Sequence, residues 1–130
     1  MKSSGVVVDA SALAAVVFME DEAATVARRL DGCELHTCNL LPHEMTNVAW
    51  KKARRAQDPA ERMLIVSRLG PGLAQSMTVH PIRQEAVLEL ALSTGLTSYD
   101  ASYLWLARTL DLPLVTLDDA LARAFATKPR

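Results

Sequence analysis

The sequence predicts a single α/β domain in which a central parallel sheet carries helices on both faces. Short apolar runs alternate along the chain with longer segments of helical periodicity. The first run, GVVVDAS, places three β-branched valines together without polar alternation, as in a strand buried on both faces. The 130 residues suffice for one sizeable core. Because no repeat or linker divides them, residues 1–130 are predicted to form one domain.

The first half of the chain reads as strand, two helices, strand and helix. After GVVVDAS comes the helix ALAAVVFM, for which Ser11 is a candidate N-cap, and a second helix in EAATVARRL that ends near Gly32. ELHTC alternates like a strand. LLPHEMTNVAWKKARR then predicts a helix with Pro42 at its start, where a missing amide hydrogen does no harm.

The second half repeats the alternation. DPAERMLIVSRL predicts a helix with Asp58 as its cap and Glu61 three residues on, and the GPG that follows predicts its end. MTVHPI is a weaker strand, and RQEAVLELALST is a helix that stops at Gly95. LTSYDASYLWLARTL is a further helix, LPLVTLD the last strand and DALARAFA the closing helix. The tail TKPR is expected to fray.

Four acids lie at the predicted carboxyl edge of the sheet, where folds of this class bind their ligands. Asp9 and Asp118 follow the first and last strands, and Glu44 and Asp100 lie in the first turns of two helices. Strand carboxyl ends and the following helix starts share one edge of a parallel sheet, so these acids can meet. Asp100 also shares a helix face with Tyr103 and other largely apolar residues, which is unusual for a solvated acid.

Each acid has an ordinary explanation, since carboxylates favour helix starts and serve as caps. As a set they would repel one another unless protonated or neutralised by cations. Mg²⁺ or Mn²⁺ suits such oxygen ligands, and acidic clusters with these ions carry out phosphoryl chemistry. No G-x-S-x-G, G-x-G-x-x-G or G-x-x-x-x-G-K-[ST] motif offers another scheme.

Charge and hydropathy limit the kinds of partner and the cellular location that the sequence allows. The formal net charge is −1, but without those four acids 14 basic residues face 11 acidic ones, as suits a weakly basic shell around an acidic pocket. The longest apolar run has eight residues, and the N-terminus lacks a signal-peptide core. A cytoplasmic protein without a membrane segment is expected.

Cysteines and histidines add little. Cys33 and Cys38 lie on opposite faces of the predicted strand, so two buried thiols are favoured over a disulfide or a zinc site with His36. Neither His36 nor His80 shows partner spacing. His43, beside Glu44, is the one histidine with a conceivable catalytic role.

Three segments, in their order and spacing, resemble a known family. VVVDASAL, LLPHEMTNVAW and LTSYDASYLWLARTLDLPLVTLDDAL are similar to the PIN domain, specifically to the VapC-type toxins of bacterial toxin–antitoxin pairs. The resemblance spans the whole chain. It implies a PIN fold and an endoribonuclease dependent on Mg²⁺ or Mn²⁺. By position, the metal-binding and catalytic acids would be Asp9, Glu44, Asp100 and Asp118.

The resemblance extends to residues around the acids. Ser11, Thr116 and Asn47 match polar positions of the family and would orient carboxylates or waters, although capping or surface roles remain alternatives. Threonine-x-Asp spacing selects Asp118 as the fourth acid and leaves Asp119 as a cap.

Partners follow from the same resemblance. It implies an RNA substrate, a cognate antitoxin that is small and binds DNA, and a homodimer. The middle helices, including Ile65 and Leu69, would contribute to assembly. A basic stretch at the end of the Glu44 helix is a candidate RNA contact, with a solvated helix end as the alternative; it consists of Lys51, Lys52, Arg54 and Arg55. Trp50 and Trp105 are expected to pack rather than stack on bases.

Rival functions are a DNA-directed or flap-type PIN nuclease, a receiver-like signalling domain and a degenerate PIN scaffold. The chain is small for gripping a duplex. A receiver would need a second acid beside Asp9 and a late lysine, and none lies between Lys52 and Lys128. All four acids are present, which disfavours a scaffold without activity.

Overall fold

A four-stranded parallel sheet lies at the centre of the molecule. The computed structural model describes residues 4–127, so most of the tail predicted to fray lies outside the described residues. The sheet has the order β3-β2-β1-β4. Its strands are β1 (Gly5–Val8), β2 (Glu34–Cys38), β3 (Thr78–His80) and β4 (Leu114–Val115).

Helices cover both faces of this sheet, which confirms the predicted fold class. The described residues contain α1 (Ala10–Val17), α2 (Ala23–Leu30), α3 (Leu41–Arg55), α4 (Pro59–Leu73), α5 (Gln84–Thr94), α6 (Ser98–Leu110) and α7 (Asp119–Ala126). Val6 and Val8 point into the core formed with α1 to α4, whereas Val7 points into the core formed with α6 and α7. Burial of β1 on both faces explains its unbroken valine run.

Sheet topology selects one edge as the place for a site. The chain leaves β1 for β2 and β3 on one side, then crosses to β4 on the other side. This reversal makes the gap beyond the carboxyl ends of β1 and β4 a topological switch point, where open α/β sheets bind ligands. Asp9 follows β1 and Asp118 follows β4 at this gap.

Helix caps agree with the sequence at some ends and differ at others. Asp58 caps α4 through the Ala60 amide, and Gly95 ends α5 with a φ of 77°, as predicted. The N-cap of α1 is Asp9, which accepts from the Ala12 amide. Ser11 is therefore not the cap, because the helix has already begun at Ala10.

The predicted end of α4 at GPG is wrong, since the helix continues through Pro71 to Leu73. Proline removes its own amide hydrogen bond and its ring crowds the carbonyl four residues earlier, but tertiary packing can maintain the helix beyond it. Here Gly72 is buried against α1. A Cβ at Gly72 would lie 2.7 Å from both γ carbons of Val17, so this glycine permits close helix contact.

Two predictions about cysteine and histidine also need correction. Cys38 is buried, but Cys33 precedes β2 and stays partly exposed. His36 and His80 do have a partner, namely each other. Their rings stack, and His36 Nδ1 lies 2.9 Å from His80 Nε2. Spacing along the sequence conceals this contact because pairing between β2 and β3 creates it.

Helices α4 and α5 both carry exposed large apolar side chains. Ile65 and Leu69 pack partly buried against the core, and their predicted contribution to assembly stays a prediction. Among the described residues, no helix is both long and apolar enough to cross a membrane. The exposed large apolar residues of α4 are Met63, Leu64 and Val66, and they are called the α4 apolar surface below.

The contact between Gly72 and α1 gives a test of the fold. We expect Gly72→Ala to destabilise the protein by roughly 1–2 kcal/mol, because overpacking of about 1–3 kcal/mol exceeds a helix-propensity gain of up to about 1 kcal/mol. Urea denaturation would measure it. Combining the variant with Val17→Ala should recover part of the loss, and strictly additive effects of the two changes would contradict the packing explanation.

Candidate active site

A cavity of about 460 Å³ opens at the carboxyl edge of the sheet. The structure brings together all four acids predicted from the sequence, from β1, α3, α6 and the end of β4. Ser11 and Asn47 also line this cavity, and so does His43. The full lining is Asp9, Ala10, Ser11, Leu40, His43, Glu44, Asn47, Val48, Lys51, Tyr99, Asp100, Tyr103 and Asp118.

Asp9 is the most deeply buried of the acids, with 3% of its surface exposed. Its two carboxylate oxygens accept from different donors. Oδ1 accepts from the Ser11 hydroxyl at 2.8 Å and from the Ala12 amide at 3.0 Å. Oδ2 accepts from the Thr116 hydroxyl at 2.5 Å. The buried charge is thus compensated by hydrogen bonds from β4 and α1.

Backbone donors fix the direction of both hydroxyls. The Leu117 amide donates to Ser11 Oγ at 2.9 Å, and the Asp118 amide donates to Thr116 Oγ1 at 3.0 Å. Each hydroxyl therefore directs its own hydrogen towards Asp9. Ser11 and Thr116 are accordingly in direct contact with the first acid, as the proposed orienting role requires, and Asn47 lies exposed on the cavity wall.

Glu44 has a partner that sequence reasoning missed. The Tyr103 hydroxyl donates to Glu44 Oε1 at 2.6 Å, and the tyrosine is only 1% exposed. Burial, followed by the nearby Cys38 and Glu44, raises the pKa of Tyr103 far above its ordinary value, so the phenol stays neutral and can donate. The sequence offers one indication of this role, because Tyr103 lies one helical turn after Asp100 on the same helix face.

Asp100 and Asp118 complete the acidic edge. The Asp100 amide donates to the hydroxyl of the Thr97 cap, and a hydrogen bond from the same side chain opposes the rise in the pKa of the Asp100 carboxyl. Asp118 caps α7 by accepting from the Leu121 amide at 2.8 Å. Asp119 is the first, exposed residue of that helix, so the prediction that it serves as the cap is wrong. Asp118 is therefore both the fourth acid of the cavity and the N-cap of α7.

Three of the acids have raised pKa values. Burial is the largest cause for Asp9, Glu44 and Asp100. Repulsion among neighbouring carboxylates adds to it, while hydrogen bonds from hydroxyls and amides oppose it. Protonation of these carboxyls, or a cation bound between them, is therefore favoured because either reduces the negative charge of the cavity.

Donor chemistry at the cavity fits a hard cation. Among residues 4–127, no three histidine, cysteine or acid side chains are already arranged to hold a metal ion. However, Glu44 Oε2 and Asp118 Oδ2 accept no hydrogen bond within the described part of the chain. Open carboxylate oxygens are the ligands of Mg²⁺ and Mn²⁺.

The structure separates the basic residues predicted to contact RNA. Lys51 lines the cavity. Lys52 is not among the lining residues and pairs with Glu20 at 2.9 Å. The Arg54 guanidinium sits over the Trp50 ring, 4.4 Å from its centroid. Arg55 is exposed.

The two tryptophans differ from each other. Trp105 packs partly buried against the apolar clusters, as expected. Trp50 is 54% exposed, so the prediction that it packs in the interior is wrong. Its position on the outward side of α3, stabilised by the cation above its ring, explains the difference.

Comparison with known proteins identifies the family of this chain. The PIN domain family model matches residues 6–125. Ribonuclease VapC3 of Pyrobaculum aerophilum is 38% identical over 125 residues, which cover 92% of this chain and 93% of that protein.

Solved structures show the same fold. The crystal structure of PAE2754 from Pyrobaculum aerophilum matches with a TM-score of 0.73 and 31% identity, covering 94% of this chain and 86% of that one. The crystal structure of Mycobacterium tuberculosis VapC20, a sarcin-ricin loop cleaving toxin, matches with a TM-score of 0.64 and 16% identity, covering 92% and 95%. This chain therefore belongs to the PIN-domain family, among its VapC-type members.

Proposed function

We propose that this protein is a Mg²⁺- or Mn²⁺-dependent endoribonuclease that acts as the toxin of a toxin–antitoxin pair. One observation carries the proposal. Four carboxylates from separate parts of the chain line a single cavity at the switch point of the sheet. The similarity to ribonuclease VapC3 supports RNA as the substrate class.

The four acids have unequal roles in this proposal. Glu44, Asp100 and Asp118 line the cavity with partly exposed side chains and Asp9 lies buried behind them, and together the four acids would hold the metal. When bound, Mg²⁺ or Mn²⁺ supplies positive charge to the scissile phosphate and lowers the pKa of a bound water. Ser11 and Thr116 keep Asp9 oriented, and Tyr103 keeps Glu44 oriented.

Partners are proposed on the same basis. VapC-type relatedness supports a small, DNA-binding antitoxin, a homodimer and a cytoplasmic location. The α4 apolar surface supports assembly, because adjacent exposed large apolar residues commonly mark protein interfaces. It replaces Ile65 and Leu69 as the surface to alter, since those two side chains also support the core.

Metal-dependent cleavage is the direct test of the proposed activity. Purified protein should cut total RNA with Mg²⁺ or Mn²⁺ and not with EDTA, and Asp100→Asn should abolish cutting. Asp119→Asn is a matched control, because that exposed neighbouring acid lies outside the cavity. Equal cleavage by wild type and Asp100→Asn would contradict the assignment. Single-stranded DNA of the same sequence would separate a ribonuclease from a DNA-directed nuclease.

The same variant tests the repulsion at the acidic edge. The pKa of Asp100 is raised in the folded state, so ionisation of this carboxyl lowers the free energy of unfolding. The loss of stability begins near the ordinary pKa of about 4 and grows as pH rises through the raised pKa. Without metal, Asp100→Asn should therefore raise Tm at pH 7.5 and leave it nearly unchanged below pH of about 4. Mn²⁺ should stabilise wild type more than the variant. A lower Tm for the variant at pH 7.5 would exclude the repulsion.

Removal of the Tyr103 hydroxyl tests whether Glu44 is held in place for metal binding. Tyr103→Phe retains the buried ring but loses the donor to Oε1. We expect Mn²⁺ affinity and cleavage to fall by roughly 10- to 100-fold, as for other residues that orient metal ligands. Calorimetric Mn²⁺ titration would measure this separately from Tm. Unchanged affinity with only a lower Tm would make Tyr103 purely structural.

Adjacent lysines on α3 offer a matched pair for RNA contact. Lys51→Ala should weaken RNA binding and reduce the slope of log K against log salt by roughly 0.7, because one phosphate contact to a single strand is lost. Lys52→Ala should change neither, since Lys52 pairs with Glu20 away from the cavity. Fluorescence anisotropy across a salt series would measure both. If both variants weakened RNA binding equally, the specific contact of Lys51 would be contradicted in favour of a general effect of positive charge.

A further inference from the structure

Tyr99 occupies the cavity without any evident structural task. It is the second residue of α6, directly before Asp100, and it lines the same cavity as the four acids. Its side chain is 59% exposed and belongs to none of the apolar clusters. Its hydroxyl makes no hydrogen bond with any residue between 4 and 127. An aromatic ring is thus held at the rim of a polar cavity with neither packing nor a polar partner.

A second tyrosine on the same helix shows how different this is. Tyr103 lies one turn later on the same face, where it is buried and bonded to Glu44. Tyr103 therefore supports Glu44, whereas Tyr99 stays open to solvent beside Asp100. Exposure of a large aromatic surface is unfavourable, so a ligand that covers Tyr99 gains hydrophobic and stacking free energy.

The surroundings of Tyr99 indicate which ligand would cover it. The cavity combines carboxylates that suit a metal-bound phosphate with Lys51, a cation that can contact a further phosphate. A planar ring beside such groups matches the nucleobase of the same strand. Aromatic side chains next to cationic backbone contacts are the usual platform for unpaired bases, and they accept every base because each has a π-face.

We propose that Tyr99 is a base-stacking residue for a nucleotide next to the scissile phosphate of single-stranded RNA. The inference rests on the proposed ribonuclease function and adds a subsite to it. Stacking requires the ring and not the hydroxyl. It also requires an unpaired base, so the site would favour single strands and loops over duplexes.

Variants at Tyr99 separate the ring from the hydroxyl. Tyr99→Phe preserves stacking, whereas Tyr99→Leu keeps apolar bulk without a π-face. Both variants should keep the wild-type Tm because the side chain is largely exposed. Binding would be measured with a fluorescent 12-residue oligoadenylate and with an abasic ribose-phosphate chain of the same length. Ca²⁺ would serve as the hard cation, and a gel would verify that the RNA remains intact.

We expect Tyr99→Leu to weaken oligoadenylate binding by about 5- to 140-fold, which is a stacking contribution of about 1–3 kcal/mol at about 1.4 kcal/mol per tenfold. Its binding of the abasic chain should equal that of wild type, and Tyr99→Phe should equal wild type on both probes. Three results would overturn the inference: normal oligoadenylate binding by Tyr99→Leu, equal loss on both probes, or a Tyr99→Phe defect as large as that of Tyr99→Leu.

Failure of the proposed function gives a different result. If wild type neither cleaves total RNA with Mg²⁺ or Mn²⁺ nor binds oligoadenylate, the ribonuclease assignment and this subsite fall together. If wild type cleaves RNA while Tyr99→Leu binds and cleaves normally, only the subsite is wrong.

Discussion

Burial of the Asp9 carboxylate is the constraint on which the arrangement of the site depends. A carboxylate at 3% exposure is costly unless hydrogen bonds replace its water. Ser11, Ala12 and Thr116 supply those bonds, so one side chain links β1, α1 and the end of β4. The link matters because β4 has only two residues and pairs with β1 at only two positions. The acid that serves the site thus also helps to hold the last strand in register.

Within residues 4–127, no lysine or arginine forms an ion pair with the four acids of the cavity. Glu44 receives its hydrogen bond from a neutral phenol, and Asp9 receives its bonds from hydroxyls and an amide. A lysine or arginine in either place would neutralise the carboxylate permanently and compete with a divalent ion. Neutral donors orient the oxygens yet leave the negative charge in place, at the expense of raised pKa values and a less stable fold at neutral pH. A stability cost of this kind is the usual companion of charge gathered for function.

The sequence predicted the alternation of strands and helices and the meeting of the four acids, because both follow from periodicity and from the geometry of parallel sheets. It did not predict contacts that only tertiary structure creates. The stacking of His36 on His80 depends on the register of two strands, and the continuation of α4 through Pro71 depends on the fit of Gly72 against Val17. Local patterns contain no information on such packing.

The two tyrosines of α6 show the same limit for functional residues. Tyr99 and Tyr103 are four residues apart, share a helix face and flank Asp100, so periodicity assigns them to the same surroundings. However, α6 is exposed at Tyr99 and largely buried from Ala101 onwards, so the first ring meets solvent and the second meets Glu44. Burial then determines what each can do. A buried phenol that stays neutral can orient an acid, whereas an exposed ring presents a face that only a ligand can cover.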